Sequence, residues 1–203
     1  TSGKKLKNIG LMLYTNKDLN NIGGVIQADQ ALNLQVKGNL NVRSTTQSSE
    51  NQAGLSNYSW TGIDRVAGLY VGNKGDMKAT DTTLVLNVGG DSNFTAAQIV
   101  NQGLGKSVIY TGGDINVGTL STEVTNNHVV SNSQYSKDSR KKDIGSQIVT
   151  QGDLNLAGKN IKITGSQLAS EQGNTVLQAT ENITITEGRR QIDQSHQSEF
   201  EKK

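Results

Sequence analysis

The 203-residue chain contains neither cysteine nor proline, and only 4% of its residues are aromatic. The lack of cysteine excludes disulfide bonds, so packing and hydrogen bonds alone must hold the fold. It is also compatible with export, because a chain without thiols cannot misoxidise outside the cytoplasm. The lack of proline suits strands that pair along both edges, since proline would remove a donor from one ladder. The scarcity of aromatic residues indicates a narrow core of small and β-branched side chains.

An excess of charge of one sign is also absent, because 20 lysines and arginines nearly balance 18 aspartates and glutamates. The net charge of +2 provides no basic footprint for nucleic acid, and we expect no nucleic-acid partner. No apolar run approaches the 18 or more residues of a membrane span, so no transmembrane segment is predicted. Only 33% of residues are hydrophobic, a low value that often indicates disorder. Here the apolar residues recur at regular positions, which favours an ordered fold.

What the chain does contain is a repeat near its C-terminal end. Residues 145–164 read GSQIVTQGDLNLAGKNIKIT, and residues 165–186 read GSQLASEQGNTVLQATENITIT. Each unit holds three short stretches of alternating apolar and polar residues, the period-two pattern of half-buried strands. Glycine, asparagine and aspartate separate the stretches, as tight corners require. The same pattern recurs in looser form at residues 25–43, 84–94 and 108–117.

Three short strands per repeat predict an all-β fold, a right-handed parallel β-helix in which each repeat forms one coil of a solenoid. The alternative is an antiparallel barrel or sandwich, because hairpins also produce alternating stretches. Direct head-to-tail repetition favours the β-helix. We expect roughly five to seven coils, and an ordered core on the order of 25–35 Å long at about 4.8 Å per coil.

Three polar segments do not follow the coil pattern: residues 44–81, 119–143 and 187–203. We expect these excursions to be extra-helical loops or hairpins that leave the solenoid at one corner. The N-terminal sequence TSGKKLKNIGLMLY has no small-residue cleavage site and soon returns to polar residues, unlike a signal peptide. We therefore interpret residues 1–203 as a single β-helix fragment of a much larger protein.

The order of several motifs strongly resembles the haemagglutinin-repeat region of large two-partner-secretion exoproteins. The most specific motifs are IDRVAGLYV at residues 63–71 and the GSQ units that begin at Gly145 and Gly165. This family includes filamentous haemagglutinin and the contact-dependent growth inhibition exoproteins. The resemblance implies a structural shaft segment of an exoprotein that is secreted to the cell surface of a Gram-negative bacterium, for adhesion or toxin delivery. It also implies two partners: an outer-membrane transporter, acting on a region outside this chain, and a receptor or surface on the target cell.

A second functional class is a carbohydrate-active β-helix enzyme with clustered aspartates in a groove. Asp91, Asp114 and Asp153 could form such a cluster, but each follows glycine at what reads as the same corner, where a turn residue is expected. His128 and His196 lie in excursions, without a paired carboxylate at catalytic or metal-binding spacing. Two Gly-Gly-Asp motifs resemble calcium-binding nonapeptide repeats, but the nine-residue period does not continue. We therefore predict no enzyme activity, no catalytic residue, no metal and no cofactor.

A third possibility is a receptor-binding segment that acts through the excursions. The aromatic residues of the first excursion could anchor a partner, or they could instead cover an apolar side of the solenoid. The basic run of the second excursion is either a solvated face or a weak attraction for anionic glycans or lipids. Unpaired strand edges at the ends of a solenoid also favour end-to-end self-association. The candidate contact residues are Tyr58, Trp60, Tyr70, Arg140, Lys141 and Lys142.

Overall fold

The computed structural model describes residues 10–198, which form 22 β-strands, numbered β1 to β22 along the chain. Three parallel sheets of six, six and five strands form the faces of a solenoid, and five further strands form an antiparallel sheet. The chain visits the three parallel sheets in turn and then returns to the first. This path is a parallel β-helix, so the predicted fold class is confirmed. Within the described range, no helix has the length and apolar character needed to cross a membrane.

The first face of the solenoid carries leucines that stack from coil to coil. Leu32 and Leu34 lie beside Leu84 and Leu86 in the neighbouring strand, and all four side chains are buried. The alternation of apolar and polar residues places every second side chain inside, as the sequence predicts. The strands of this face are β1 (Gly10–Thr15), β4 (Ala31–Val36), β9 (Thr82–Val88), β12 (Lys106–Thr111), β17 (Leu154–Gly158) and β20 (Thr175–Ala179).

The second face is apolar inside and carries a ladder of amides outside. Asn41 donates to Asn20 at 2.8 Å, Asn93 donates to Asn41 at 2.9 Å, and Asn116 donates to Asn93 at 2.9 Å. Each amide thus links two coils along the solenoid axis. The strands are β2 (Leu19–Ile22), β5 (Leu40–Arg43), β10 (Ser92–Thr95), β13 (Ile115–Gly118), β18 (Ile161–Thr164) and β21 (Ile183–Thr186).

The third face includes a strand that the sequence predicts to lie in the first excursion. Gly68–Val71 was assigned to the first excursion, but it pairs in parallel with strands on both sides and belongs to the solenoid. Leu69 stacks on Ile99, which in turn stacks on Ile148, and all three side chains are fully buried. The strands of this face are β3 (Val25–Ala28), β8 (Gly68–Val71), β11 (Gln98–Asn101), β16 (Gln147–Thr150) and β19 (Gln167–Ser170).

Aspartates hold the corner between the first and second faces. The Asp91 carboxylate accepts the backbone N–H of Asp114 at 2.8 Å, and the Asp114 carboxylate accepts that of Asn160 at 3.1 Å. This is the corner role that the sequence predicts for both aspartates. The prediction that Asp153 shares their corner is wrong. Asp153 precedes β17, at the corner between the third and first faces, where it accepts the N–H of Asn174 at 2.9 Å.

The corner between the second and third faces takes two alternating forms. Counted from the N-terminal side, coils 1, 3 and 5 turn directly, through a residue with left-handed backbone: Gly23 (φ 64°), Ala96 (φ 47°) and Gly165 (φ 52°). Coils 2 and 4 instead insert a hairpin at this corner, and a long strand follows the second face of coil 6. Both hairpins and the strand β22 therefore leave the solenoid at this one corner, in every second coil.

The inserted strands differ in part from the predicted excursions. The first hairpin is β6 (Thr45–Ala53) and β7 (Ser56–Arg65), and the second is β14 (Leu120–Ser131) and β15 (Gln134–Ile144). The strand β22 (Arg190–Ser198) begins the third excursion, of which residues 199–203 lie outside the described range. Residues 72–81, also predicted to belong to the first excursion, form a loop between β8 and β9 at a different corner. Residues 1–9 of the N-terminal sequence also lie outside the described range.

Candidate interaction surface

The hairpins join into one antiparallel sheet, here called the side sheet, in the order β6, β7, β14, β15, β22. Its strands come from coils 2, 4 and 6, so the sheet runs along the solenoid. A hairpin is two strands wide, about 9.6 Å at 4.8 Å per strand, and two coils rise by about the same distance. Because these two repeats match, hairpins inserted in every second coil meet edge to edge.

A buried serine lies at the neck of each hairpin, the place where its two strands leave and rejoin the solenoid. Ser44 precedes β6, and its hydroxyl accepts the N–H of Ala67, where the chain returns, and donates to the carbonyl of Ala96 in the next coil. Ser146 follows β15, and its hydroxyl donates to the carbonyl of Gly118 across the second neck at 2.8 Å. Both serine side chains are buried. The side sheet is therefore attached to the solenoid by hydrogen bonds that water does not reach.

One face of the side sheet combines aromatic, aliphatic and basic side chains. Val124 lies directly between Trp60 and Arg140, and Arg140 in turn lies beside Ile192. Directly paired residues point to the same face, so these four form a row across four strands. We call this face the aromatic–basic face. Its members on β7, β14, β15 and β22 include Tyr58, Trp60, Val124, Asn126, His128, Ser136, Asp138, Arg140, Lys142, Arg190, Ile192, Gln194 and His196.

On the opposite face, several short polar side chains bond to one another across strands, and we call it the hydroxyl face. The hydroxyls of Ser48 and Thr61 lie 2.8 Å apart, and the Asn127 amide donates to Asn57 at 2.7 Å. The second of these bonds joins the two hairpins. The side chains that bond to one another in this way have fewer free groups to offer a partner.

The candidate contact residues do not all come together. Tyr58, Trp60, Arg140 and Lys142 share the aromatic–basic face, as the strand register requires. Lys141 lies on the hydroxyl face, where its Nζ is 3.4 Å from Glu123 Oε1. The basic run is therefore divided between two faces, and only two of its three charges accompany the aromatic residues.

Tyr70 lies apart from the other candidates, on the third face of the solenoid. Its hydroxyl donates to Gln98 Oε1 at 2.8 Å, and burial raises the pKa of this tyrosine. Its ring covers Gly68, where a Cβ atom would lie 2.6 Å from the ring carbon Cζ. Trp60 covers Gly62 in the same way, with its Cε2 atom 2.9 Å from the position of a Cβ. Both rings thus cover backbone that lacks a side chain of its own.

Charge and exposure favour the aromatic–basic face as a contact surface. Val124 is 37% exposed, Tyr58 44% and Ile192 49%, so apolar area faces solvent beside Arg140. The Arg140 guanidinium lies 3.1 Å from Asp138 Oδ2, which orients it on the sheet. Aromatic and arginine side chains are the commonest energetic anchors of interfaces.

Asp143 fixes the start of β22 against the second hairpin. Its carboxylate accepts the Ser121 hydroxyl at 2.6 Å and the backbone N–H of Arg189 at 2.8 Å. These hydrogen bonds, the Ser121 bond foremost, hold the pKa of Asp143 below its ordinary value. The sequence shows none of this, because Ser121 and Arg189 meet Asp143 only through strand pairing.

Sequence reasoning missed most members of the aromatic–basic face, among them Val124, Arg190 and Ile192. The alternation within β14 is a signal for Val124, because a strand through residues 120–131 turns every second side chain to one face. No local signal places Ile192 beside Arg140, since that contact depends on which hairpin strand lies next to β22.

The fold and this surface define a β-solenoid with a lateral sheet built from alternate coils. The sequence matches the family model described as Hemagglutinin repeat over residues 5–60 and 128–202, more than half of the chain. The chain belongs to the hemagglutinin repeat family, in agreement with the motif resemblance. The first matched segment covers coil 1 and coil 2 as far as β7, and the second runs from the end of β14 through coils 5 and 6. No curated protein and no solved structure matches the chain significantly.

Proposed function

We propose that the chain is a shaft segment of a large exoprotein of the filamentous haemagglutinin type, secreted to the surface of a Gram-negative cell. Its family supports this role, and so does its mechanics. Three parallel ladders run along the solenoid, so each inner coil is held by both neighbours. Export by an outer-membrane transporter of the two-partner kind fits such a chain, because each coil can fold on the one before it.

The side sheet adds a second function to the shaft, contact with a target cell. The observation that carries this proposal is the aromatic–basic face, which runs alongside the solenoid over strands from three coils. Adhesion requires contact with a target cell, and so does toxin delivery, so a surface of this kind suits both roles. The proposal is limited to contact with the target cell and does not choose between the two roles.

End-to-end association of the isolated chain follows from the same geometry. Ile183 and Ile185 pair with the buried Ile161 and Ile163, yet they are 47% and 67% exposed. Among the described strands, β21 pairs only with β18, so it presents these side chains together with an open edge, which favours stacking on another solenoid end.

The contact function is tested by a triple variant, Trp60→Ala, Arg140→Ala and Lys142→Ala. We expect its binding to bacterial and epithelial cells, measured by flow cytometry with fluorescently labelled protein, to fall by about tenfold or more, the scale of losing interface anchors. Circular dichroism should remain that of the parent chain, because these side chains lie outside the solenoid core.

The matched control changes three residues of the hydroxyl face that share one row: Ser59→Ala, Thr125→Ala and Ser139→Ala. We expect its cell binding to equal that of the parent chain. Equal losses in both variants, or no loss in the first, would show that the aromatic–basic face is not the contact surface. The shaft function would survive that result, since it depends on the solenoid.

A further inference from the structure

The only two histidines of the chain, far apart in sequence, lie in one row of the side sheet. In the strand register, His128 of β14 lies directly opposite Ser136 of β15, and Ser136 lies directly opposite His196 of β22. All three side chains therefore point to the aromatic–basic face, in one row. The sequence places both histidines in excursions and gives no sign that they are neighbours.

An open cavity of about 450 Å³ is lined by both histidines and by Ser136. Ser136, which stands between the two histidines in the row, has the smallest side chain of the three, and both histidines are exposed. The two histidine backbones are two strand spacings apart, about 9.6 Å. Imidazoles that lean toward each other over a serine can close most of that distance, and a metal ion with nitrogen ligands at about 2.0–2.1 Å closes the rest.

We propose that His128 and His196 together bind one divalent transition-metal ion of the class that prefers imidazole: Zn²⁺, Ni²⁺ or Cu²⁺. Asp138 also lines the cavity, but both of its oxygens face the Arg140 guanidinium, at 3.4 and 3.1 Å. Within residues 10–198 no group of three or more histidine, aspartate or glutamate side chains is arranged for a metal. The ion therefore has two protein ligands and completes its coordination with water, which makes the site exchangeable.

Such an ion would fasten the edge of the side sheet. Among the described strands, β22 pairs only with β15, whereas β14 pairs on both sides. A metal held by His128 and His196 spans β15 and ties β22 to the second hairpin. Metal binding therefore stabilises the arrangement in which β22 is paired with β15, because the ion binds that arrangement preferentially.

The test is calorimetric titration of the tag-free, chelator-stripped chain with ZnCl₂, NiCl₂ and CuCl₂ at neutral pH. We expect one ion per chain for at least one of these metals. His128→Gln and His196→Gln should each weaken that binding by about tenfold or more, because the second imidazole acts at high effective concentration. In the NMR spectrum, the ring resonances of both histidines should shift together.

Two variants at Ser136 separate a bridged ion from independent binding. Ser136→Ala keeps the gap open and should bind like the parent chain, whereas Ser136→Leu fills the gap and should lose binding with both histidines present. Three results would overturn the proposal: two ions per chain, with one lost in each histidine variant; titrations that match a chain lacking both histidines; or full binding by Ser136→Leu.

Discussion

Gly145→Ala is expected to lower the free energy of unfolding by at least about 2 kcal/mol, whereas Gly118→Ala should change it by less than about 0.5 kcal/mol. Both glycines stand at the neck of the second hairpin, one on each side. A Cβ on Gly145 would overlap the carbonyl oxygen of Gly165 and lie 2.8 Å from its carbonyl carbon. A Cβ on Gly118 would meet nothing nearer than the Phe94 carbonyl oxygen, at 3.8 Å.

The difference arises because a Cβ atom on Gly145 would collide with backbone atoms. A side chain can rotate away from a new methyl group, but the Gly165 carbonyl belongs to a corner whose left-handed backbone (φ 52°) is already specified. The neck would have to widen, which would pull the hairpin from the solenoid. Denaturant unfolding followed by circular dichroism measures both variants, and equal stabilities for the two would contradict the close approach of coils at this corner.

Asn101→Ala should destabilise the chain by about 2–4 kcal/mol, because it removes a fully buried amide whose nitrogen and oxygen are both hydrogen-bonded. The Asn101 amide donates to the hydroxyls of Thr83 at 2.8 Å and Ser107 at 2.9 Å. Its oxygen accepts the N–H of Gly103 at 3.0 Å. Alanine would leave these buried groups without their partner, in a place that the protein otherwise closes to water.

The control for Asn101 is Asn116, another asparagine on a solenoid strand. Asn116 lies on the outer side of the second face and donates one bond, to Asn93, at 2.9 Å. Because water can replace this partner, Asn116→Ala should cost about 1 kcal/mol or less. Thermal unfolding of both variants gives the comparison, and a cost for Asn116 as large as that for Asn101 would show that burial does not decide the effect.

Much of the solenoid could be predicted from periodicity alone. The alternation in Leu154, Asn155 and Leu156 places both leucines inside, and both are fully buried in β17. Periodicity fails where a short strand directly follows a polar excursion. Gly68–Val71 follows the same alternation, with Leu69 and Val71 buried, but a polar hairpin precedes it, so it reads as part of an excursion.

The misplaced Asp153 has a different cause. Gly152-Asp153 is the same dipeptide as Gly113-Asp114, and both stand at tight corners where aspartate accepts a backbone N–H from the next coil. The local chemistry of the two corners is the same. Only the order of strands tells one corner from the other: Asp114 follows the first-face strand β12, whereas Asp153 follows the third-face strand β16.

The aromatic–basic face could not be predicted, because it depends on pairing between distant segments. Trp60 and Val124 are neighbours only because the first and second hairpins leave from coils two apart. Each excursion alone predicts a loop or a hairpin, and no local pattern states that two hairpins will share an edge. The match between hairpin width and the rise of two coils is a property of the whole repeat.

The most direct test of the side sheet uses cysteine pairs, because the natural chain has none. Asn57 and Asn127 lie directly opposite each other on adjacent strands of different hairpins, within the range of a disulfide. Asn57→Cys with Asn127→Cys should oxidise rapidly to an intrachain disulfide, detected by mass spectrometry of proteolytic fragments. Asn57→Cys with Asn126→Cys, on opposite faces, should not. Failure of the first pair, or equal oxidation of both, would contradict a continuous side sheet.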